Sequence, residues 1–275
     1  MRVRLVLAST VVVGILAAGG AALRAEEPAV IKVARPTSGE DSGPAIRAAI
    51  AAALEPGARR HVRLSPGIYC VGRDPDAPPH MRVALHIRGV DGLLIEGTEG
   101  TEIVITDPRA GGFFVEGSSD VTIKGLAIDY LPLPFTQGDV LSVDAETHFF
   151  TMRVDEAFPL LDEPMFAEAP KPFGTFGVLW DREARRLKRD ASDFLFMEGW
   201  APTEDPRVWR MLVALESHYR MAEVEPGDTF AQLARGGWGG AIFAHQSQRA
   251  EIRNCRIYTS PGLAIGAAAT DELLV

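Results

Sequence analysis

One stretch of the chain concentrates polar and aromatic side chains that could bind a sugar. It is Ile128–Gln137, in which Asp129, Tyr130, Phe135 and Gln137 stand close to two prolines. The rings of Tyr130 and Phe135 could stack on a sugar ring, and the polar groups of Asp129 and Gln137 could bind its hydroxyls. The segment also fits a stiff, proline-braced connection in which Asp129 caps a turn. The two interpretations are compatible with each other.

Cleavage of a glycosidic bond needs two carboxyl groups, one as acid and one as base or nucleophile. Asp129 is the weak candidate for a catalytic carboxyl, and its partner is not evident. Asp107 and Asp120 are better explained as residues at corners of the chain. After residue 240 the only adjacent acidic pair is Asp271-Glu272, in a tail that departs from the preceding pattern. The catalytic residues are therefore left unassigned.

The histidines and cysteines show no metal-binding pattern. The six histidines are scattered, and two cysteines are too few for a structural zinc site. Cys70 and Cys255 are expected to be unpaired thiols in separate parts of the fold, although export would permit a disulfide. The sequence has no phosphate-binding or dinucleotide-binding glycine motif. It therefore predicts neither a metal nor a cofactor.

The elements that must position these residues repeat along the chain. A pattern of two short strands and glycine corners recurs after 28 residues, and a third, looser copy follows much later. The corresponding apolar positions are Ile87, Val115 and Ala244 in the first strand and Ile95, Ile123 and Ile252 in the second. Such a period indicates stacked repeats. Because the copies hold strands and no helix, they predict an all-β fold, a right-handed parallel β-helix.

A helix is predicted before the first coils, over residues 37–54. Ser42 and the proline two residues later suit its first turn, and Ile46 and Ile50 lie on one face. This helix would cap the exposed edge of the first coil, which could otherwise pair with other chains.

The repeat divides the chain into segments. Residues 26–137 hold the cap and the first coils. Residues 138–236 lose the repeat and contain antiparallel-type strands between charged or proline-containing turns, which predicts an inserted β-barrel or sandwich. Residues 237–275 resume the coils and stop soon afterwards. Because stacked repeats need a terminal cap, C-terminal coils are expected to be missing.

The first 25 residues have the features of a secretory signal peptide, with two early arginines, an apolar run and small residues near Ala25. An uncleaved membrane anchor is the alternative. Cleavage would remove three arginines and no acidic residue, changing the net charge from −9 to −12. A protein with this negative net charge is a poor partner for nucleic acid and anionic lipid. We therefore expect a secreted or periplasmic protein that binds a glycan, with no membrane contact after cleavage.

Four segments resemble a known group of proteins: Asp41–Ile46, Val62–Tyr69, Ile128–Gln137 and Asn254–Leu263. Together with the inserted barrel they resemble the pectin-lyase-like β-helix superfamily. Within it they are most similar to the amino-terminal part of the α-1,3-galactosidases of glycoside hydrolase family 110. The resemblance implies a β-helix with barrel insertions and inversion at the anomeric carbon. That family's paired catalytic aspartates lie in coils beyond the segment matched by Ser260–Gly262, so no catalytic residue is carried over.

Three functions follow as hypotheses. The first is an inverting, α-galactosidase-like glycoside hydrolase or a truncated form of one. The second is a non-catalytic glycan-binding or surface module. The third and weakest is a polysaccharide lyase, which needs a basic residue for proton abstraction, often beside calcium held by clustered acids. The sequence suggests no acidic cluster beside an arginine or lysine on successive coils. Neither the substrate sugar nor the oligomeric state follows from it.

Overall fold

A computed structural model describes residues 30–34, 37, 39–58, 60–167, 175–234 and 240–275. The predicted signal segment, residues 1–25, lies outside the described residues. The protein is all-β, with two short regions of α-helix, α1 (Gly43–Leu54) and α2 (Pro164–Ala167), and a 3-10 helix, Leu215–Glu223.

The strands fall into two sets. The first set forms the body, and the second set, inserted into it, forms a barrel. The body strands before the barrel are β1 (Ile31–Val33), β2 (His61–Leu64), β3 (Gly67–Val71), β4 (Val83–Arg88), β5 (Asp91–Glu96), β6 (Thr101–Ile105), β7 (Gly111–Glu116), β8 (Ser119–Lys124) and β9 (Ala127–Tyr130). The barrel strands are β10 (Phe135–Asp144), β11 (Phe149–Val154), β12 (Phe176–Asp181), β13 (Arg186–Leu187), β14 (Leu195–Pro202), β15 (Val208–Val213) and β16 (Thr229–Leu233). The body resumes with β17 (Gly240–His245), β18 (Gln248–Arg253), β19 (Arg256–Ile257), β20 (Leu263–Ala268) and β21 (Asp271–Leu274).

The body consists of three parallel sheets. Sheet 1 has the order β1-β2-β5-β8-β18-β21, sheet 2 the order β20-β17-β7-β4, and sheet 3 the order β19-β9-β6-β3. β1 and β2 both lie in sheet 1, but from β2 onward consecutive body strands enter sheets 1, 3 and 2 in turn, so that each passage of the chain adds one strand to each sheet.

The register of these sheets confirms the correspondence predicted from the repeat. In sheet 2, Val115 pairs with Ile87 on one side and with Ala244 on the other. In sheet 1, Ile123 lies between Ile95 and Ile252. All of these side chains are buried, and all except that of Ala244 belong to a single apolar cluster, which explains why the sequence keeps an apolar residue at each position.

The barrel closes through six antiparallel strands in the order β12-β14-β15-β11-β10-β16, because β16 also pairs with β12. β13 extends this sheet at its edge by pairing with β12. The predicted antiparallel strands of this segment are confirmed. The barrel has its own buried apolar cluster, with Phe150 and Phe230 among its fully buried members, and this cluster is separate from that of the body.

Helix α1 begins at Gly43 and not at residue 37. The hydroxyl of Ser42 makes no capping hydrogen bond. Instead, Asp41 Oδ1 accepts hydrogen bonds from the backbone N–H of Gly43 at 2.8 Å and of Gly72 at 3.1 Å. The predicted buried face is correct, since Ile46 and Ile50 are buried.

Two further expectations concern the cysteines and the end of the chain. Cys70 and Cys255 are unpaired, as expected. The prediction that the tail departs from the repeat is wrong. β20 pairs with β17 and β21 pairs with β18, and both pairings are parallel. Asp271-Glu272 therefore lies on a sheet 1 strand.

An ion-pair centre on the outer face of sheet 1 ties three successive strands together. Glu96 accepts hydrogen bonds from His61 Nε2 at 2.9 Å and Arg63 Nε at 2.8 Å, and its other oxygen lies 2.9 Å from Lys124 Nζ. Mainly the bond from Lys124, then those from Arg63 and His61, lower the pKa of Glu96 to about 2, although burial opposes the shift.

This depressed pKa predicts an acid-sensitive contribution to stability. The contribution is present above the unfolded pKa of Glu96 and is lost as the pH falls through its folded pKa of about 2. With solvent screening, we expect the free energy of unfolding to fall by about 1–2 kcal/mol more in the wild type than in Glu96→Gln over this range. Urea titrations at a series of pH values test this. Glu99→Gln should keep the wild-type profile, and an unchanged profile in Glu96→Gln would contradict the assignment.

Candidate functional site

Two carboxylates project from the outer face of sheet 3. In β6 and β9, Ile103 and Ile128 are fully buried, so the alternation of side chains turns Glu102 and Asp129 outward. Glu102 pairs with Ala127, two residues before Asp129 on the neighbouring strand. Strand spacing and rise then put the Cα atoms of Glu102 and Asp129 roughly 8 Å apart.

The carboxylate of Asp129 is held on one side only. Its Oδ1 accepts hydrogen bonds from Thr259 Oγ1 at 2.5 Å and from the backbone N–H of Tyr130 at 2.9 Å. The same N–H lies 3.1 Å from Thr259 Oγ1, which closes a small network. Among the described residues, no donor contacts Oδ2. The network therefore orients the carboxylate and leaves one oxygen available.

A groove of about 550 Å³ runs beside these residues, across the corner between sheets 1 and 3. Its lining residues include Glu99, Glu102, Arg256 and Tyr258. The ring of Tyr258 is 61% exposed. Asp129 is not part of the lining, but it follows Ala127, a lining residue, by two positions, and its donor Thr259 follows Tyr258.

Two glycines let the turn after β5 and the turn after β8 approach closely at this corner. A Cβ atom on Gly97 would lie 2.6 Å from the carbonyl oxygen of Gly125, and one on Gly125 would lie 2.7 Å from that of Gly97. Gly125 also has a positive φ of 70°. The corner therefore needs glycine at both positions, and the missing side chains leave room for the groove.

Tyr130, predicted to stack on a sugar, is instead part of the body core. Its side chain is 1% exposed, because it points to the opposite face of β9 from Asp129. Its hydroxyl has no hydrogen-bond partner among the described residues. Burial, reinforced by the charge of Asp107, raises the pKa of Tyr130. No face of this ring is available to a ligand.

Phe135 and Gln137 lie on β10 and belong to the barrel. Phe135 is partly buried and its ring centroid is 5.6 Å from that of Phe158. Gln137 Nε2 donates to Asp155 Oδ2 at 3.1 Å, and Asp155 also pairs with Arg182 at 2.8 Å. Of the four predicted site residues, only Asp129 therefore lies on the face of sheet 3 beside the groove.

The residues that share this face with Asp129 were missed in the sequence: Glu102, Arg256, Tyr258 and Thr259. The 28-residue offset of the repeat does not match Glu102 to its neighbour on β9, so the sequence could have revealed this residue only if the offset had been changed. The offset is 28 residues between Ile95 and Ile123 but 25 between Glu102 and Ala127, because the corner after β5 is longer than the corner after β8.

Single acidic residues lie beside basic ones on neighbouring parallel strands. On sheet 2, Glu116 Oε2 is 3.0 Å from His86 Nε2 and 3.4 Å from Arg88 Nε. The Glu96 centre on sheet 1 is a second case. These residues lie far apart in the sequence, but strands related by the repeat place them side by side.

Two features are absent from the described residues. They contain no group of three or more histidine, cysteine, aspartate or glutamate side chains arranged to hold a metal ion. Within the same residues, no helix has the length and apolar character needed to cross a membrane.

The fold and site thus define an all-β protein in which a closed six-stranded barrel interrupts a body of three parallel sheets, with a carboxylate-bearing groove on one sheet. No protein-family model matches the chain, and no curated protein matches it at a significant level.

Proposed function

We propose that the body is a right-handed parallel β-helix of the pectin-lyase-like type. The order in which successive strands enter sheets 2, 1 and 3 supports a continuous coil. Right-handedness is the expectation because connections between parallel strands of one sheet are right-handed in the great majority of proteins. The resemblance of Val62–Tyr69 and Asn254–Leu263 to that superfamily points the same way.

We propose that the protein is an inverting glycoside hydrolase acting on α-galactosyl or related glycans. The observation that carries this proposal is the placement of Glu102 and Asp129 on adjacent strands, facing outward and offset by two residues. Inverting enzymes hold their two carboxyl groups roughly 6.5–9.5 Å apart to admit a water molecule. Because both side chains leave the same face, a Cα separation of roughly 8 Å allows a carboxyl separation in that range.

The surroundings suggest a role for each carboxyl. Asp129 is the proposed base: Thr259 and the Tyr130 N–H fix its Oδ1, so that Oδ2 can take a proton from water. Glu102 is the proposed acid, because it lines the groove in which the leaving oxygen would lie. The exposed ring of Tyr258 offers a face for a sugar, and Arg256 offers hydrogen-bond donors.

The experiment is a hydrolysis assay in which proton NMR follows the anomeric configuration of the first product. We expect release of galactose or a related sugar as the anomer opposite to the substrate linkage. Retention of configuration would contradict the assignment of Glu102 and Asp129 as an inverting pair.

Two alternatives predict different outcomes in the same assay. A non-catalytic module predicts glycan binding that depends on Tyr258 without any product. A lyase predicts an unsaturated product with ultraviolet absorbance; the proximity of Arg88 and His86 to Glu116 is the observation that favours it.

We further propose export to the periplasm or the medium, on the strength of the signal-like residues 1–25. Mass spectrometry of the protein recovered outside the cytoplasm should show loss of this segment. An intact amino terminus would instead favour a membrane anchor.

A further inference from the structure

The groove at the corner between sheets 1 and 3 crosses three stacked turns of the chain. They are the turns that follow β5, β8 and β18, each of which leads from sheet 1 to sheet 3. The backbone N–H of Gly97 donates to the carbonyl oxygen of Lys124 at 2.9 Å, and that of Gly125 donates to the carbonyl oxygen of Arg253 at 3.0 Å. These hydrogen bonds hold the turns in register, so the groove runs from strand to strand. With neighbouring strands about 4.8 Å apart, the three turns span roughly 10 Å, about the length of two linked pyranose rings.

The two proposed catalytic carboxylates are placed differently relative to this groove. Glu102 is one of the lining residues, whereas Asp129 lies outside the lining, two residues further along sheet 3. In an inverting reaction the acid must reach the glycosidic oxygen, while the base and its water act on the opposite face of the sugar ring that is cleaved. With Glu102 as the acid and Asp129 as the base, the cleaved ring therefore lies over β9, and the leaving group continues into the groove.

The end of the groove furthest from Glu102 carries polar side chains that suit a sugar. Ala127 pairs with Glu102 on one side and with Arg256 on the other, so the Cα atoms of Glu102 and Arg256 lie roughly 10 Å apart. Asn254 and Tyr258 line the same end, and all three of these side chains are exposed. The amide of Asn254 can donate to and accept from hydroxyls, and the guanidinium of Arg256 can donate to them.

We propose that this groove is the leaving-group subsite of the hydrolase and holds two sugar residues. The proposal rests on the hydrolase function proposed above. The first leaving-group residue lies over Ala127, whose small side chain leaves room for it, and the second contacts Asn254 and Arg256. The preferred substrates are then oligosaccharide chains of at least three residues, and simple galactosides are poor substrates because they leave the groove empty.

The test compares kcat/KM for release of galactose from α-linked galacto-oligosaccharides of two, three and four residues, whose leaving groups hold one, two and three sugars. We expect kcat/KM to rise roughly tenfold from the disaccharide to the trisaccharide, because binding energy from the remote residue lowers the barrier. It should then stay level at the tetrasaccharide. Arg256→Ala and Asn254→Gly should each bring the ratio of trisaccharide to disaccharide close to one. Glycine is used at position 254 because it tolerates the φ of 53° found there.

Arg253→Ala is the matched control, because it removes the same charge from an exposed position of β18 that is not part of the groove lining. It should keep the wild-type ratio. Titration calorimetry of the same oligosaccharides with Asp129→Asn separates this proposal from the hydrolase function on which it rests.

Hydrolysis by the wild type with a ratio near one would overturn the leaving-group subsite and leave the hydrolase function standing. Absence of hydrolysis by the wild type, with tighter binding of the trisaccharide than of the disaccharide, would overturn the hydrolase function and with it the leaving-group role. The groove would then be a glycan-binding site only. A ratio that Arg256→Ala and Asn254→Gly leave at the wild-type value would place the second sugar elsewhere and overturn the assignment of the groove.

Discussion

Asp129→Asn and Glu102→Gln are each expected to lower the turnover number for a natural galactoside by roughly 10³-fold. Asparagine keeps the shape of Asp129 and can still accept the bond from Thr259, but it cannot take a proton from water. Glutamine at position 102 cannot protonate the leaving oxygen. Because neither substitution changes a buried side chain, both variants should unfold close to the wild-type urea concentration.

The leaving group separates the two roles. An activated aryl galactoside needs little protonation of its leaving oxygen, so Glu102→Gln should lose far less activity on it than on a natural glycan. Asp129→Asn should be impaired on both substrates, since water must still be activated. Kinetics on both substrates test this.

Glu99→Gln is the control for charge, since Glu99 lines the same groove but lies in the turn before β6. It should keep near-wild-type turnover. Full activity in both Asp129→Asn and Glu102→Gln would remove the proposed site. A reversed dependence on the leaving group would exchange the two roles.

The fold was predictable where a repeat made the register visible. Ile95, Ile123 and Ile252 could be matched because the same apolar residue recurs at one position of sheet 1. The antiparallel strands of the barrel carry the same kind of signal, since β-branched and aromatic residues alternate between charged turns. Pairing partners within the barrel were not predictable, because no repeat relates β12 to β16.

The site was less predictable than the fold, and the pair Asp129 and Tyr130 shows why. Asp129 and Tyr130 are adjacent on β9, so they must point to opposite faces of sheet 3. The burial of Ile128 decides which face is inside, and it sends Tyr130 into the core. Sequence alternation alone thus argued against grouping the two residues. Thr259, by contrast, reaches Asp129 from 130 residues away, and no local pattern reveals that contact.

The corners illustrate a second limit. The corners cannot carry an asparagine ladder, since Asn254 is the only asparagine. Serines stack instead: Ser118 Oγ accepts from the N–H of Val90 at 3.1 Å, and Ser247 Oγ accepts from that of Ser118 at 3.3 Å. Short hydroxyl side chains satisfy backbone donors at a turn as asparagine does. Serine is common in turns, so its stacking was visible only in the structure.

Ile123→Ala should destabilise the body by about 2–5 kcal/mol. Ile123 is 1% exposed and lies between Ile95 and Ile252. Backbone hydrogen bonds fix the spacing of the strands, so the neighbouring strands cannot move in to fill the cavity. Thr122→Ala on the outer face of the same strand should cost under about 1 kcal/mol. Urea unfolding measures both.

Because the body and the barrel have separate apolar clusters, the destabilisation caused by Ile123→Ala should be confined to the body. Two cores without shared members can open as distinct units, so Ile123→Ala should accelerate amide hydrogen exchange in β5, β8 and β18 while β11 and β15 keep their protection. Phe230→Ala, at a fully buried barrel position, should give the converse pattern. If either variant accelerates exchange equally in both sets, the body and the barrel form one cooperative unit. The connection through Phe135 and Leu233, which pair where the barrel joins the body, would then transmit the opening.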